Sequence, residues 1–249
     1  DYKHYLLTWF TQKRVFLVLD DVWKDNEFDS LDLAKGKGSV TLLTTRNLSL
    51  LERWSLHIRQ VHMTPLSYED SWSLFCMHAF GAPSNVPRDL QALAQCMAEE
   101  CQGLPLALKV IGRAMFRKAS CEWEAQLRKL RESRLQEGNV EGQLYERLKL
   151  GYDLLSEDDS RLKHCFLYLA AFPENSRIDF HEILLHWIGE GLVPGNGADD
   201  PRADAFSLLK KLWERSFIES DEWYVLDEGF VSDEENFLTF KIHDVMRDL

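Results

Sequence analysis

Two adjacent carboxylates, Asp20 and Asp21, close a run of five apolar residues, VFLVL at 15–19. A short apolar run rich in β-branched and aromatic residues and bounded by turn residues predicts a fully buried parallel strand. Its carboxylates then stand at the carboxyl edge of a sheet, where α/β proteins bind ligands. There Asp20 can hold Mg2+, directly or through water, and Asp21 can orient a water for attack on a phosphate. The same pair also suits a plain strand-ending turn, where Asp is common. A second run, SVTLLTT at 39–45, follows Gly36 and Gly38 and ends in Arg46. The guanidinium fork of Arg46 can reach a terminal phosphate, or it is a solvated loop charge. Two apolar runs separated by a helix or loop give the rhythm of a parallel α/β sheet.

The remaining elements follow from period and punctuation. Tyr2 to Thr11 reads as the end of a helix. Ser67 and Asp70 form a capping box for a helix at 68–80, closed by Gly81 and Pro83. Leu90, Leu93, Ala94, Met97, Ala98 and Cys101 make one helical stripe, with Gly103 as a left-handed cap and Pro105 in the first turn of the next helix. Leu108, Ile111 and Met115 continue its apolar face. Residues 120–142 read as a polar surface helix with a linker. A third region starts near Leu144. Ser156 and Asp159 suggest another capping box, before a face of Leu162, Cys165, Phe166 and Leu169. Phe166, Leu167, Leu169 and Phe172 are expected in the core. Helices over 183–188 and 205–216 and strand-like pieces at 216–219 and 237–242 complete the outline of a winged helix.

Composition narrows the classes. Of 249 residues, 45% are hydrophobic, which suffices for a core, and no apolar run approaches the roughly 18 residues of a membrane span. The formal charge is −12, and residues 190–249 hold six Lys/Arg against fifteen Asp/Glu. An acidic surface repels phosphate backbones. A DNA-reading winged helix needs a basic wing; this one carries Asp227, Glu228, Asp233, Glu234 and Glu235, so no direct nucleic-acid partner is expected. Five cysteines without a CxxC pair argue for a reducing, cytoplasmic setting. Asn47-Leu48-Ser49 is a glycosylation triplet of low specificity.

Six motifs in order carry a more specific signal: LVLDDVW (17–23), SVTLLTTR (39–46), SWSLFCMHAF (71–80), CQGLPLALKVIG (101–112), CFLYLAAFPE (165–174) and KIHDVMRDL (241–249). The series resembles the NB-ARC nucleotide-binding switch of plant disease-resistance proteins, and Trp23 and CFLYLAAFPE resemble its non-TIR branch. The resemblance implies α/β plus all-α architecture: a partial parallel P-loop NTPase sheet at 1–64, a small helical domain at 65–143 and a winged-helix domain at 144–249. It implies ADP/ATP and Mg2+ as ligands. Asp20 would be the Mg2+-linked carboxylate, Asp21 the catalytic one and Arg46 the γ-phosphate sensor. Gly103, Leu104 and Pro105 would line the base pocket, with Leu106 beside them and Pro105 against adenine. His243 would touch the β-phosphate of ADP, and Asp244 would brace that contact. Beside these stand plainer explanations: Gly103 and Pro105 as helix punctuation, and His243 as a structural histidine.

The family's partners, an N-terminal signalling domain, C-terminal leucine-rich repeats and further copies on activation, are implied as well. A turnover ATPase shares Asp20 and Asp21 and is the competing function. There are two departures. Ile242 stands where the family has Met, a change of similar volume. The phosphate loop GxxxxGK[ST] occurs nowhere in the sequence. That loop supplies the backbone cradle, the phosphate lysine and the Mg2+ hydroxyl. The expectation is a fragment or truncated product that binds ADP weakly or not at all, with unpaired strand edges that favour aggregation.

Overall fold

A computed structural model describes residues 2–24, 36–47, 49, 59–134, 140–173, 176–194, 200–220 and 239–247. The chain divides into two compact units, Asp1–Met63 and Thr64–Leu249. The acidic segment 221–238, including the wing carboxylates, lies outside the described residues.

In the first unit, helix α1 (Tyr2–Thr11) precedes strands β1 (Phe16–Leu19) and β2 (Val40–Leu43). The strands pair in parallel, with Phe16 beside Val40 and Leu19 beside Leu43. The turn before β2 is tied to the chain entering β1. The Val15 amide donates to Ser39 Oγ at 3.0 Å, and a Cβ on Gly36 would sit 2.1 Å from the Lys13 carbonyl oxygen. The parallel order is as the sequence predicts; full burial is not. Leu19 and Val22 are buried, with Leu17 and Leu43 packed on them, whereas Phe16, Val18, Val40 and Leu42 are at least half exposed. Successive strand side chains point to opposite faces. Among the described residues only one face of this pair gathers an apolar cluster.

The second unit holds two apolar cores. Four helices surround the first: α2 (Tyr68–Phe80), α3 (Gln91–Glu100), α4 (Pro105–Ala114) and α5 (Ser120–Arg134). The capping box of α2 forms as expected: the Asp70 amide donates to Ser67 Oγ at 3.1 Å, and Ser67 Oγ donates to the Asp70 carboxylate at 2.7 Å. Gly81 ends the helix in the left-handed conformation. The stripe on α3 is buried, apart from a partly buried Leu93. Helix α5 is less polar in its packing than its composition suggests. It buries Trp123, Leu127 and Leu130, and Trp123 stacks on Phe80 with centroids 5.4 Å apart.

The second core is built by α7 (Leu162–Leu169), β3 (Ile178–Asp179), α8 (Phe180–Gly189), α9 (Pro201–Glu214), β4 (Ile218–Glu219), β5 (Thr239–Ile242) and α10 (Asp244–Arg247). The strands form an antiparallel sheet in the order β3-β5-β4. The hairpin of β4 and β5 matches the expected outline, whereas the two-residue β3 is too short to leave a periodic signal. Asp179 caps α8, accepting from the His181 and Glu182 amides, so the helix begins before Ile183. A clamp closes this module. Arg161 makes two hydrogen bonds to Asp204, at 2.6 and 3.0 Å, and further ones to Asp159 and the Leu192 carbonyl.

One helix, α6 (Val140–Asp158), serves both cores. Leu148 and Leu155, seven residues apart, enter the winged-helix core, while Leu150 and Leu154 enter the other. At 3.6 residues per turn these pairs lie on different faces of one helix. The sequence boundary at 143/144 falls inside α6, and Gly142 belongs to the helix rather than to a linker. Ser156 is consequently no cap. It sits in the last turn of α6, and its hydroxyl donates to the Asp153 carbonyl. The carboxylate of Asp159 instead accepts from the Arg161 amide at 3.0 Å. Leu167, expected in the core, is 52% exposed, because it lies on the opposite face of α7 from Leu162, Cys165, Phe166 and Leu169.

Two positions generate tests. A Cβ on Gly151 would stand 2.3 Å from Val110 Cγ1, where α6 crosses α4. Val110 is buried and β-branched, so it has little room to yield. Gly151→Ala is expected to cost about 1–3 kcal/mol by overpacking, read as a lower urea midpoint. His78, on α2, is pushed down to about 4 from 6.5 by burial, helped by the charges of Arg113 and Lys109. Between those values the unfolded chain binds the proton and the folded chain does not, so stability is lost as pH falls from about 6.5 towards 4. Thermal melting across that range is expected to fall less steeply in His78→Leu.

Candidate functional site

Parallel pairing sets the ends of β1 and β2 side by side, and there Asp20, Asp21 and Arg46 meet. The Thr44 amide donates to the Leu19 carbonyl at 2.9 Å, and the Val22 amide donates to the Thr44 carbonyl at 3.0 Å, so pairing continues past both strands. Between these bonds the chain kinks. Asp21 has φ of 50°, in the left-handed region, which Asp tolerates better than most residues. Its amide turns towards β2 and donates to Thr44 Oγ1 at 2.8 Å. The same hydroxyl donates to Asp20 Oδ1. One threonine thereby holds the backbone of one carboxylate residue and the side chain of the other. Within SVTLLTTR the only signal of this role is the place of Thr44 beside Arg46 at a strand end.

Asp21 is the more engaged carboxylate. Its Oδ2 accepts from Trp23 Nε1 at 3.0 Å, and its Oδ1 lies 3.7 Å from Arg46 Nε. The Arg46 guanidinium also lies over the Trp23 ring, 5.3 Å from its centroid. The following turn is fixed by Thr45 Oγ1 donating to the Val22 carbonyl at 2.6 Å and by Asn47 Nδ2 donating to the Trp23 carbonyl at 3.2 Å. The Asn47 side chain, the acceptor of the glycosylation triplet, thus has a structural task here. Asp20 is exposed, and with Thr44 it offers only hard oxygen donors. Mg2+ suits such a set, since it takes one or two carboxylates and keeps several waters. Among the described residues no three or more His, Cys, Asp or Glu side chains group to form an all-protein metal cage. The donor chemistry of Asp20 and Thr44 fits Mg2+.

In the second unit Gly103, Leu104 and Pro105 form the turn between α3 and α4. Gly103 is buried with φ of 72°, and its carbonyl accepts from the Leu66 amide at 3.0 Å. A Cβ there would stand 2.7 Å from the Leu66 oxygen, so close backbone crossing and positive φ both demand glycine. Leu104 is the half-buried N-cap residue of α4, and Pro105 is exposed in its first turn. His243 lies half-buried between β5 and α10. The Met246 amide donates to its carbonyl at 2.9 Å, and the Val245 amide donates to its Nδ1 at 3.3 Å. An accepting Nδ1 places the proton of a neutral imidazole on Nε2. Leu106, just after Pro105, packs on the same apolar cluster as Ile242, Val245 and Met246. The expected role of the Asp244 side chain lies outside the described residues.

The buried thiols of Cys76, Cys101 and Cys165 are poorly placed for nucleophilic chemistry. All five cysteines are free, and burial pushes the thiols of Cys76, Cys101 and Cys165 up to about 11, 12 and 12. Among the described residues no helix is long and apolar enough to cross a membrane.

The strand-end carboxylates and the winged-helix unit place the chain in a defined class. Residues 2–85 match the sequence model of the NB-ARC domain, and residues 171–249 match that of the disease resistance protein winged helix domain. Among curated proteins of Arabidopsis thaliana it is 32% identical to Disease resistance protein At4g27190, over 95% of this chain and 23% of that protein. It is 31% identical to Probable disease resistance protein At4g27220, over 95% of the chain and 24% of the relative. It is 31% identical to Disease resistance RPP13-like protein 4, over 95% and 28%. The chain belongs to the NB-ARC plant disease-resistance protein family. It spans about a quarter of the length of the relatives it matches.

Thr44 gives the test. Thr44→Val keeps the volume but removes the donor to Asp20 and the acceptor for the Asp21 amide. Faster hydrogen exchange at the Asp21 and Val22 amides is expected, with a loss of about 1 kcal/mol. Thr44→Ser is expected to restore protection.

Proposed function

We propose that this chain forms part of an ADP/ATP-binding switch in a plant disease-resistance protein acting in innate immune signalling. The observation that carries this reading is the cluster of Asp20, Asp21, Thr44 and Arg46 at adjoining ends of two parallel strands. Mg2+, when present, supplies charge neutralisation on the phosphates. Asp20 would hold it, directly or through water. Asp21 orients water, and Arg46 feels the terminal phosphate. In the second unit the Gly103–Pro105 turn contributes to the base pocket. The Nε2–H of His243 donates to the β-phosphate of ADP, with Asp244 bracing that contact.

A nucleotide shifts a conformational equilibrium only if it binds the two states differently. The hydrogen bond from His243 supplies that difference: ADP favours the closed arrangement, and exchange for ATP releases it. Cytoplasmic placement, signalling and leucine-rich-repeat domains elsewhere in the whole protein, and self-assembly on activation belong to the same proposal.

Two measurements test it. In the full-length protein, His243→Ala is expected to weaken ADP retention and to favour the active state. Unchanged ADP occupancy with no autoactivity would remove the latch from the proposal. The 249 residues alone, containing no GxxxxGK[ST], are expected to bind ADP more weakly than micromolar. Calorimetric micromolar affinity would contradict that expectation. Multiple-turnover phosphate release by the protein with its phosphate loop restored would favour the turnover ATPase instead.

A further inference from the structure

The geometry points to Trp23 as a positioning residue that acts as a brake on hydrolysis, an inference that rests on the switch reading of the same site. Trp23 does two things at once. Its indole N–H donates to Asp21 Oδ2 at 3.0 Å, and its ring lies 5.3 Å beneath the Arg46 guanidinium. Arg46 in turn stands 3.7 Å from the other carboxylate oxygen of Asp21. One aromatic side chain therefore keeps the water-orienting carboxylate and the phosphate-sensing cation facing each other. All three residues come from the ends of β1 and β2.

This arrangement has a cost for catalysis. Hydrolysis of ATP joins a water oxygen to the terminal phosphorus while the bridging P–O bond breaks, leaving ADP, phosphate and one proton. A carboxylate that orients the water must present an oxygen to it and accept or relay that proton. An Asp21 oxygen that already accepts from the indole N–H has one direction fewer to present to the water. A guanidinium already paired with Asp21 must also give up part of that contact to reach a phosphate. Trp23 strengthens both restraints, through its N–H on the carboxylate and its π face on the cation. The left-handed backbone of Asp21 aims the carboxylate at the side chain two residues on, and such strain is common where function fixes a conformation. A slow hydrolytic step lengthens the life of the ATP state, which a switch needs and a turnover enzyme does not.

Trp23→Phe retains a ring beneath Arg46 and removes the N–H. In the full-length protein, single-turnover hydrolysis is expected to speed up about tenfold while ATP affinity stays unchanged, a split that loss of folding would not give. In the 249-residue chain, the Trp23 indole N–H resonance is expected to move in Asp21→Ala while those of the other seven tryptophans stay in place. An unmoved resonance means the contact is absent and overturns the proposal. An unchanged or slower hydrolytic rate in Trp23→Phe, or no turnover by either protein with ADP still retained, overturns the brake and leaves the switch reading standing. If the wild type retains no ADP, the switch reading fails and the brake with it. The indole resonance then reports whether Trp23 still holds Asp21.

Discussion

Parallel pairing of two short strands is the constraint on which the candidate site depends. Parallel strands end at the same edge, so residues more than twenty positions apart become neighbours. Thr44 turns that adjacency into a fixed geometry. Its hydroxyl accepts from the Asp21 amide and donates to the Asp20 carboxylate, locking the strand ends together at their most polar point. The kink at Asp21 follows from this bond, and the contacts of its carboxylate with Trp23 and Arg46 follow from the kink.

The second unit rests on a different device, a helix shared between two cores. Each buried leucine is worth about 1.5–3 kcal/mol, so the four that α6 contributes outweigh the partly exposed ion pairs around it. Those pairs fix geometry instead. Arg215 bonds to both oxygens of Asp158 at 2.6 Å and donates to the Arg113 carbonyl at 2.9 Å, registering the end of α9 against the ends of α6 and α4. Leu106 in the first turn of α4 and Val245 and Met246 in α10 rest on the same cluster.

The site residues divide by whether packing alone accounts for them. Gly103 and Pro105 have complete structural explanations in backbone crossing and helix initiation. Asp20, exposed and held by one threonine, and Asp21, strained and paired with a cation, are harder to explain as packing. His243 stands between these cases. Its Nδ1 accepts from the Val245 amide at the start of α10, a structural task.

The sequence alone determined the order of elements, the caps at Ser67 and Gly81, the first-turn proline at Pro105, the parallel pairing and the family, because each is written in local spacing or in motif order. It also pointed to Asp20, Asp21 and Arg46, whose residue types at strand ends carry chemistry on their face. Tertiary structure decided what local pattern cannot encode. It exposed one face of β1 and β2, moved Ser156 from a cap into the last turn of α6, turned Leu167 to solvent and ran one helix through the expected domain boundary. It also gave Thr44 and Trp23 their partners. The physical reason is common to all of these. Burial and hydrogen-bond partners are set by chain segments far away in sequence, and a hydroxyl or an indole shows its function only when its partner is brought beside it.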